Sequence, residues 1–457
     1  MANVIGLFDN LGKHNNVPAQ FGMLQGRLIE AKLVAKDQDK LGFVHGEAYD
    51  RQLGLDASTT IKRLDMAALR FLLTFIAILA LVVVVAIYTL GPAALENTQN
   101  RVAGDKGPAP SPDALALHQS LDIADLHADT LLWYRSLIER SDRGQVDLPR
   151  MIDGNMAVQM LTTVTKSPSG QNYDSNSADA SDTITLLAMI QRWPLATRDS
   201  LFARASYQAE RLHDFAYESD DLEVVTSQEE LKQVLKARKG GRNVVAGLLG
   251  TEGSHALDGD LANIKRLFDE GFRMMSLQHF FDNKLGGSLH GESNAGLTEF
   301  GRQAVLEMDA LGIMIDVSHS SPQVVNDVLN LIESPLIVSH TGFKGHCNRK
   351  RNISDALIAR IAERGGLIGV GFWSEAVCGD DVTAIADAIA YGIATFGVGA
   401  VALGSDWDGA VTTPIDAGDL VYLTSALIER GLTPQDIRAV MGGNTIRYFL
   451  EHLPQVD

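Results

Sequence analysis

The sequence is poor in cysteine and has no excess of positive charge, and each shortage argues against a class of protein. Two cysteines, Cys347 and Cys378, occur in 457 residues, which rules out a small scaffold held together by several disulfides. The formal net charge of −18 at pH 7 argues against a nucleic-acid partner, because nothing offsets the repulsion of phosphates. A hydrophobic fraction of 46% with 42 glycines instead indicates a globular α/β protein with many turns.

One long run lacks charge altogether. Residues 71–90 read FLLTFIAILALVVVVAIYTL, without a charged side chain. At a rise of 1.5 Å per residue, a run of this length matches a hydrocarbon core of about 30 Å. We therefore predict a single transmembrane helix over residues 69–91.

The charges beside this run predict its orientation. Lys62, Arg63 and Arg70 precede it, and the positive-inside rule then leaves residues 1–68 cytoplasmic and the rest of the chain extracytoplasmic, in a periplasm or outside the cell. A cleaved signal peptide is the alternative, particularly if translation begins at Met66.

The flanking segments carry few signals. Residues 1–60 show no clear period, and we expect weak order or a short helix near residues 23–35 in them. Residues 92–115 include the Pro/Gly/Ser-rich stretch GDKGPAPSPDA and are a predicted linker. Residues 116–457 form the predicted catalytic domain.

From residue 122 onward, short apolar runs alternate with helix-like segments. The apolar runs span residues 122–129, 157–164, 244–253, 274–279, 313–319, 336–341, 367–373 and 400–409. The segments between them have apolar residues at i, i+3 and i+4, and most of them close on glycine. Eight such repeats predict an α/β protein, a (β/α)8 TIM-type barrel preceded by the transmembrane helix. The long interval between the second and third runs should hold extra helices or a lid.

Polar residues cluster where these predicted strands end. Barrel enzymes place their catalytic groups at this rim. The residues are His127, Asp129, Glu252, His279, His319, His340, Asp406 and Asp408. Histidines and carboxylates with no cysteine among them fit a divalent metal site rather than a structural zinc cage.

Two metal ions in such a site would share a carboxylate. Glu252 can offer one oxygen to each of two ions that lie about 3.5–4 Å apart. His127 and Asp129 lie two residues apart on one strand face and would complete one metal. His319 and His340 would complete the other, and each ends a Val-Ser-His tripeptide. The alternative for any one histidine is a hydrogen-bonded core residue, but the shared position of the set favours the metal.

The motifs that carry these residues occur together in a known family. DLHADTLLW, VDLPRM, GTEGSHAL, LQHF, GLTEFGRQAV, IDVSH, VSHT, RKRNISD and GSDWDG occur in the order seen in membrane dipeptidases, the renal dipeptidase family of zinc metallopeptidases. The chain resembles this family over roughly residues 118 to 452. The resemblance implies a hydrolase with two zinc ions per subunit and dipeptide substrates, and it suggests a homodimer.

The resemblance also implies roles for single residues. His127 and Asp129 would bind one zinc, Glu252 would bridge, and His319 and His340 would bind the second. A hydroxide between the ions would attack the peptide bond of a dipeptide that has a free C-terminal carboxylate.

Three further residues match positions that act on the substrate in this family. His279 would contact the substrate and the developing oxyanion, and Arg351 would hold the substrate carboxylate. Asp406 would lie near the attacking water and the substrate amine, and would transfer the proton.

Two features concern the location of the domain. The C-terminal EHLPQVD is too short and polar for the lipid-anchor signal of the family's mammalian members, so the attachment would be the N-terminal helix. Cys347 and Cys378 follow the sixth and seventh predicted strands, and they could form a disulfide if the domain lies outside the cytosol.

Two other functions compete with this interpretation. Another binuclear barrel hydrolase, acting on a cyclic amide, lactone or phosphoester, would usually carry H-x-H on its first strand and a carboxylated lysine on its fourth. This chain has H-x-D, and no lysine ends the MMSLQH strand. A catalytically inactive membrane-anchored binding protein is the other alternative, and the complete ligand set with Arg351 and Asp406 argues against it.

Overall fold

The structure is a computed structural model that describes residues 57–455. The chain divides into two compact units, one that ends at Ile87 and one that begins at Tyr88. The short helix expected near residues 23–35 lies outside the described residues, as does most of the segment predicted to be cytoplasmic.

The first described element is a long helix, α1, over Ala57–Gln99. Its segment Asp65–Gln99 is long and apolar enough to cross a membrane, with a mean hydropathy of 3.0 in its most apolar window and none of that window buried. The helix continues through Pro92, so the first part of the predicted linker is helical.

A closed parallel barrel forms the body of the second unit. Its eight strands are β2 (Ile123–Ala128), β3 (Met156–Val164), β5 (Val245–Glu252), β6 (Phe272–Ser276), β7 (Met314–Asp316), β8 (Ile337–Thr341), β9 (Leu367–Val370) and β10 (Val401–Leu403). The β10 strand pairs with β2, and β3 pairs with β5, which closes the ring. Each of the eight predicted runs contains or overlaps one of these strands, and the predicted (β/α)8 barrel is confirmed.

Three short strands lie outside the barrel sequence. The β4 strand (Leu222–Val224) pairs with the beginning of β5. The β1 strand (Arg101–Val102) follows the long helix and pairs with β11 (Thr412–Thr413). The β1–β11 pair therefore joins the end of the N-terminal helix to the loop after the last barrel strand.

Helices connect the strands. They are α2 (Pro112–Gln119), α3 (Leu148–Asp153), α4 (Thr183–Ile190), α5 (Leu201–Glu218), α6 (Gln228–Lys239), α7 (Ala262–Asp269), α8 (Glu299–Ala310), α9 (Pro322–Leu331), α10 (Asp355–Glu363), α11 (Ser374–Val377), α12 (Val382–Phe396), α13 (Leu420–Glu429), α14 (Pro434–Arg438) and α15 (Asn444–His452). The α4, α5 and α6 helices fill the long interval between the second and third predicted strands, as expected. Short polar side chains cap many of the helices; for example, Ser321 accepts a hydrogen bond from Val324 N at the start of α9, where Pro322 has the φ that a first helical residue needs.

The two cysteines form a disulfide. Cys347, in the loop after β8, is bonded to Cys378, the residue that ends α11, with their Cα atoms 5.5 Å apart. Asn352 strengthens the same junction, because its side chain donates to the carbonyl oxygens of Cys347 and Ala376. The loops that follow β8 and β9 are thus joined covalently and by hydrogen bonds.

Candidate metal centre

The structure brings the predicted polar residues together at the carboxyl end of the barrel. His127 and His340 lie within β2 and β8, and Glu252 is the last residue of β5. Asp129, His279, His319 and Asp406 follow their strands by one to three residues, and Asp408 follows β10 by five. All eight side chains are buried: His127, Asp129, Glu252, His279, His319, His340, Asp406 and Asp408.

One oxygen of Glu252 is the centre of this cluster. Its Oε1 lies 3.3 Å from Nε2 of His319, 3.4 Å from Nε2 of His279, 3.5 Å from Nε2 of His340 and 3.6 Å from Nε2 of His127. Two sets of residues have donor atoms close enough to share an ion: His127, Glu252, His340 and Asp406, and separately Glu252, His279 and His319. Glu252 belongs to both sets, which is the arrangement that a bridging carboxylate requires.

Ser339 directs two of these imidazoles. Its hydroxyl lies 2.7 Å from Asp316 Oδ2 and donates its only proton there, so it accepts from Nδ1 of His127 at 3.0 Å and from Nδ1 of His340 at 2.9 Å. When neutral, both rings then carry the proton on Nδ1 and present Nε2 toward Glu252; although burial opposes it, Asp129 and Asp406 raise the pKa of His127. Support of this kind fixes the tautomer and the orientation of metal-binding histidines.

His319 and His340 face each other through their Nε2 atoms. Their Nε2 atoms are 3.0 Å apart, and the buried Nδ1 of His319 finds no hydrogen-bond partner among the described residues. Burial, and then the charge of Arg351 for His319 and of His127 for His340, lowers the pKa of both rings well below the usual value. Two neutral imidazoles whose Nε2 atoms converge fit a borderline cation such as Zn²⁺.

Three carboxylates crowd the same space. Burial, and then the charges of Asp129 and Asp406, raises the pKa of Glu252 well above its usual value. Burial also raises the pKa of Asp406, to about 8. Although burial opposes ionisation of Asp129, the neighbouring His127 and the hydroxyl of Thr162, which donates to Asp129 Oδ1 at 2.6 Å, lower its pKa. The donor set therefore fits divalent cations, whose charge would offset this repulsion.

Arg351 lies buried beside this cluster and not in a surface salt bridge. Its Nη1 donates to the carbonyl oxygen of Ser318 at 3.1 Å and its Nη2 to that of His340 at 2.7 Å, while the guanidinium carbon lies 5.3 Å from the centre of the Trp373 ring. A guanidinium has five N–H donors, so others remain for a ligand.

His279 completes the cluster on another side. Its Nδ1 lies 3.3 Å from the carbonyl oxygen of Lys166, and burial lowers the pKa of the ring to about 4. A neutral ring that donates from Nδ1 to this carbonyl oxygen presents Nε2 to the cluster.

Asp408 belongs to a different network. Its carboxylate accepts from Thr130 Oγ1 at 2.8 Å and from Gln145 N at 2.7 Å, and it pairs with Arg135. Arg135 Nε in turn lies 2.5 Å from Oε1 of Glu96, in the last turns of α1. Asp408 therefore supports the loop that carries Asp406.

Sequence reasoning missed the supporting residues Ser339 and Asp316 and the partner Glu96. The serine that precedes histidine in both Val-Ser-His tripeptides was an available signal for the first of these. For Glu96 no local pattern pointed to a partner, since Arg135 lies on a separate loop.

Comparison with known proteins agrees with this geometry. The model of a family described as membrane dipeptidase (peptidase family M19) matches residues 112–453. Among solved structures, the dipeptidase AC, a family M19 metallopeptidase, is 22% identical, and the match covers 73% of this chain and 99% of that one with a TM-score of 0.60. A metallopeptidase from Rhodobacter sphaeroides, liganded with a phosphinate mimic of the dipeptide L-Ala-D-Ala, is 21% identical. The match covers 73% of this chain and 99% of that one with a TM-score of 0.59. The probable dipeptidase PvdM from Pseudomonas aeruginosa is 20% identical, and the match covers 75% of this chain and 98% of that one with a TM-score of 0.60.

Proposed function

The chain belongs to the membrane dipeptidase family and is a metallodipeptidase, and we propose that it uses two zinc ions to hydrolyse dipeptides that have a free C-terminal carboxylate. The observation that carries the proposal is Glu252, whose Oε1 lies among four imidazole nitrogens and whose donor atoms belong to two ligand sets. When bound, two zinc ions would supply an activated water as nucleophile and polarise the scissile carbonyl.

We assign one zinc to His127 and Asp129, the other to His319 and His340, and the bridge to Glu252. Two ligand atoms on one tetrahedral zinc, each about 2.0–2.1 Å from it, lie roughly 3.3 Å apart. The separation of His319 Nε2 from His340 Nε2 is 3.0 Å, and that of His127 Nε2 from Asp129 Oδ1 is 3.6 Å. Both distances are compatible with the assignment, which follows the family resemblance; the two donor sets instead group His127 with His340, group His279 with His319 and leave out Asp129.

The remaining polar groups would handle the substrate. Arg351 would bind the free carboxylate, because it is buried, is held by two carbonyl oxygens and still has donors to offer. His279 would stabilise the developing oxyanion by donating from Nε2, which requires the ring either to be protonated or to carry its one proton on Nε2 instead of donating from Nδ1 to Lys166. Asp406 would take a proton from the attacking water and give it to the leaving amine.

Metal analysis and kinetics together test this division of roles. In His319→Ala we expect zinc content and dipeptide hydrolysis to fall together, whereas His279→Ala should keep two zinc ions and lose activity. The matched control is His213→Ala on the surface helix α5, which should change neither zinc content nor activity.

Substrates would be L-Ala-L-Ala, L-Ala-D-Ala, a C-terminally amidated dipeptide and a phosphoester. Activity on the phosphoester alone, or full hydrolysis by His319→Ala, would contradict the proposal.

We further propose that α1 anchors the enzyme in a membrane, with the catalytic domain on the extracytoplasmic side. The apolar segment, the basic residues before it and the Cys347–Cys378 disulfide support this location, since disulfides persist in oxidising compartments. The mature protein should retain its full mass and stay in the membrane pellet after alkaline extraction. Loss of residues up to about Ala94 would instead indicate a cleaved signal peptide.

A further inference from the structure

The α4 helix is apolar on both of its faces. Its sequence, TITLLAMI, has no charged residue. Ile184, Leu187 and Ala188 are buried against the domain, while Leu186 and Met189 are 50% and 39% exposed on the outward side. A helix with apolar residues all round is normally covered on both sides, and contiguous exposed apolar groups mark an interaction surface.

Two further apolar side chains extend this outward face. Leu195, which begins the short 3-10 turn after α4, is 70% exposed. Tyr134 is 49% exposed, and its ring centre lies 5.9 Å from the guanidinium carbon of Arg192. We call Tyr134, Leu186, Met189 and Leu195 the α4 surface.

The last turns of α1 lie directly beside the α4 surface. Arg192 Nη2 donates to the carbonyl oxygen of Tyr88 at 3.0 Å, and a Cβ placed on Gly91 would lie 3.4 Å from Cγ2 of Ile190. Leu95 packs on the buried cluster that contains Trp193 and the inner face of α4. The end of α1 and the α4 segment are therefore one packed structure.

From this packing we infer that the α4 surface docks on the lipid of the membrane that holds α1, an inference that rests on the anchoring proposed above. Leu90 is the last residue of the uncharged run and so lies at the boundary between hydrocarbon and head groups. Groups in contact with Tyr88 and Gly91 lie at the same depth. Leu186, Met189 and Leu195 are thus placed to enter the acyl region, and the exposed Arg192 beside them has a side chain long enough to extend its charge toward the head groups.

Lipid explains the α4 surface better than a second copy of the chain does. The other large hydrophobic side chains exposed among residues 103–455, namely Leu115, Tyr217 and Leu306, occur singly on separate helices. The α4 surface instead lies on a segment that packs against the end of the apolar helix through Ile190 and Arg192. Lipid docking would make the membrane contact a property of the catalytic domain as well as of the anchor.

Tryptophan quenching by lipid tests the inference on the full chain in liposomes. Phospholipids brominated near the head-group end of the acyl chains quench a tryptophan that enters this layer. We expect the added fluorescence of Leu195→Trp and Leu186→Trp to fall by about half, because such side chains would lie roughly 5–10 Å into the boundary. The wild-type protein, whose four tryptophans are buried, supplies the baseline.

The matched control is Tyr217→Trp, at a side chain that is 94% exposed on α5. Its fluorescence should not change with brominated lipid, and all variants should keep dipeptidase activity. Equal signals from Leu195→Trp and Tyr217→Trp in protein that floats with the liposomes would overturn the docking and leave the anchoring intact. So would a blue shift of Leu195→Trp that depends on protein concentration in detergent, which would assign the surface to a second copy. Protein that fails to float would overturn the anchoring itself and the docking with it.

Discussion

Two buried clusters of charge meet at the loop that carries Asp406 and Asp408, and they are built on opposite principles. In the network of Glu96, Arg135 and Asp408, each carboxylate faces a guanidinium or a hydrogen-bond donor. In the cluster around Glu252, four imidazoles and three crowded carboxylates face one another instead. In the first cluster the charges of the carboxylates are offset by residues of the protein. In the second cluster cations are needed to offset them. The contrast separates a structural network from a functional one by contacts alone.

The largest effect should come from removing the shared carboxylate. We expect Glu252→Gln to lower kcat/KM at least about a thousandfold and to lower zinc content, since an amide cannot bridge two cations as a carboxylate does. After chelation, the same variant should unfold at an equal or higher temperature than the wild type, because one of three crowded acids is gone. Thermal unfolding with and without chelator checks this, and a large loss of chelated stability would contradict the comparison.

Disrupting the network of Glu96, Arg135 and Asp408 should instead lower the stability of the protein and leave metal binding intact. We expect Glu96→Gln to cost about 3–5 kcal/mol of unfolding free energy, because Arg135 would keep its buried charge with one partner fewer. The folded variant should still bind zinc. Denaturant unfolding and metal analysis measure the two quantities, and Arg140→Gln, whose ion pair is exposed, is the matched control with an effect below about 1 kcal/mol. Loss of zinc at unchanged stability would contradict the distinction between a structural network and a metal-binding cluster.

The disulfide links stability to the substrate side of the metal cluster. Replacing Cys347 and Cys378 together by serine should cost about 3–4 kcal/mol, the loop-closure value for a separation of 31 residues. Since Arg351 lies on the loop that the disulfide joins, KM for dipeptides should rise more than kcat falls. Unfolding and steady-state kinetics test both parts. A fall in kcat alone would indicate that the loop does not position Arg351.

The smallest effect that we expect is the pH dependence of stability that His118, a residue outside both clusters, contributes. Burial lowers the pKa of His118 from 6.5 to about 4, and its Nδ1 lies 2.9 Å from Thr424 Oγ1. The unfolded chain therefore binds a proton more readily than the folded one between these values. Stability from this group is complete above pH 6.5 and is lost as the pH falls toward 4, by up to about 3 kcal/mol.

The variant His118→Leu isolates this contribution. It should be less stable at pH 7, because the bond to Thr424 is lost, yet its unfolding free energy should fall less steeply between pH 6.5 and 4. Denaturant unfolding at several pH values measures the slope. An unchanged slope would show that His118 does not titrate with folding.

Much of the fold and the positions of the site residues could be predicted, because both follow from local patterns. Apolar runs of strand length marked all eight barrel strands, and polar residues at their ends had to meet once the barrel closed. Partners such as Ser339 for His127, or Glu96 for Arg135, lie far apart in the sequence and depend on which strands and loops become neighbours. The predicted linker began at Pro92, and α1 continues through its first part to Gln99, where contacts of Leu95 and Glu96 hold it.

The closure of the barrel by β10 against β2 has a consequence for the maturation of the enzyme. Ser405 donates to Asp125, and Trp407 bridges to Ala128, so the last strand locks directly beside the first metal-binding motif. Asp406 arrives only with this strand, after nearly nine-tenths of the chain has been made. A polypeptide that lacks this strand therefore cannot place Asp406 beside His127 and Glu252, and the complete centre forms only when the chain has closed on itself.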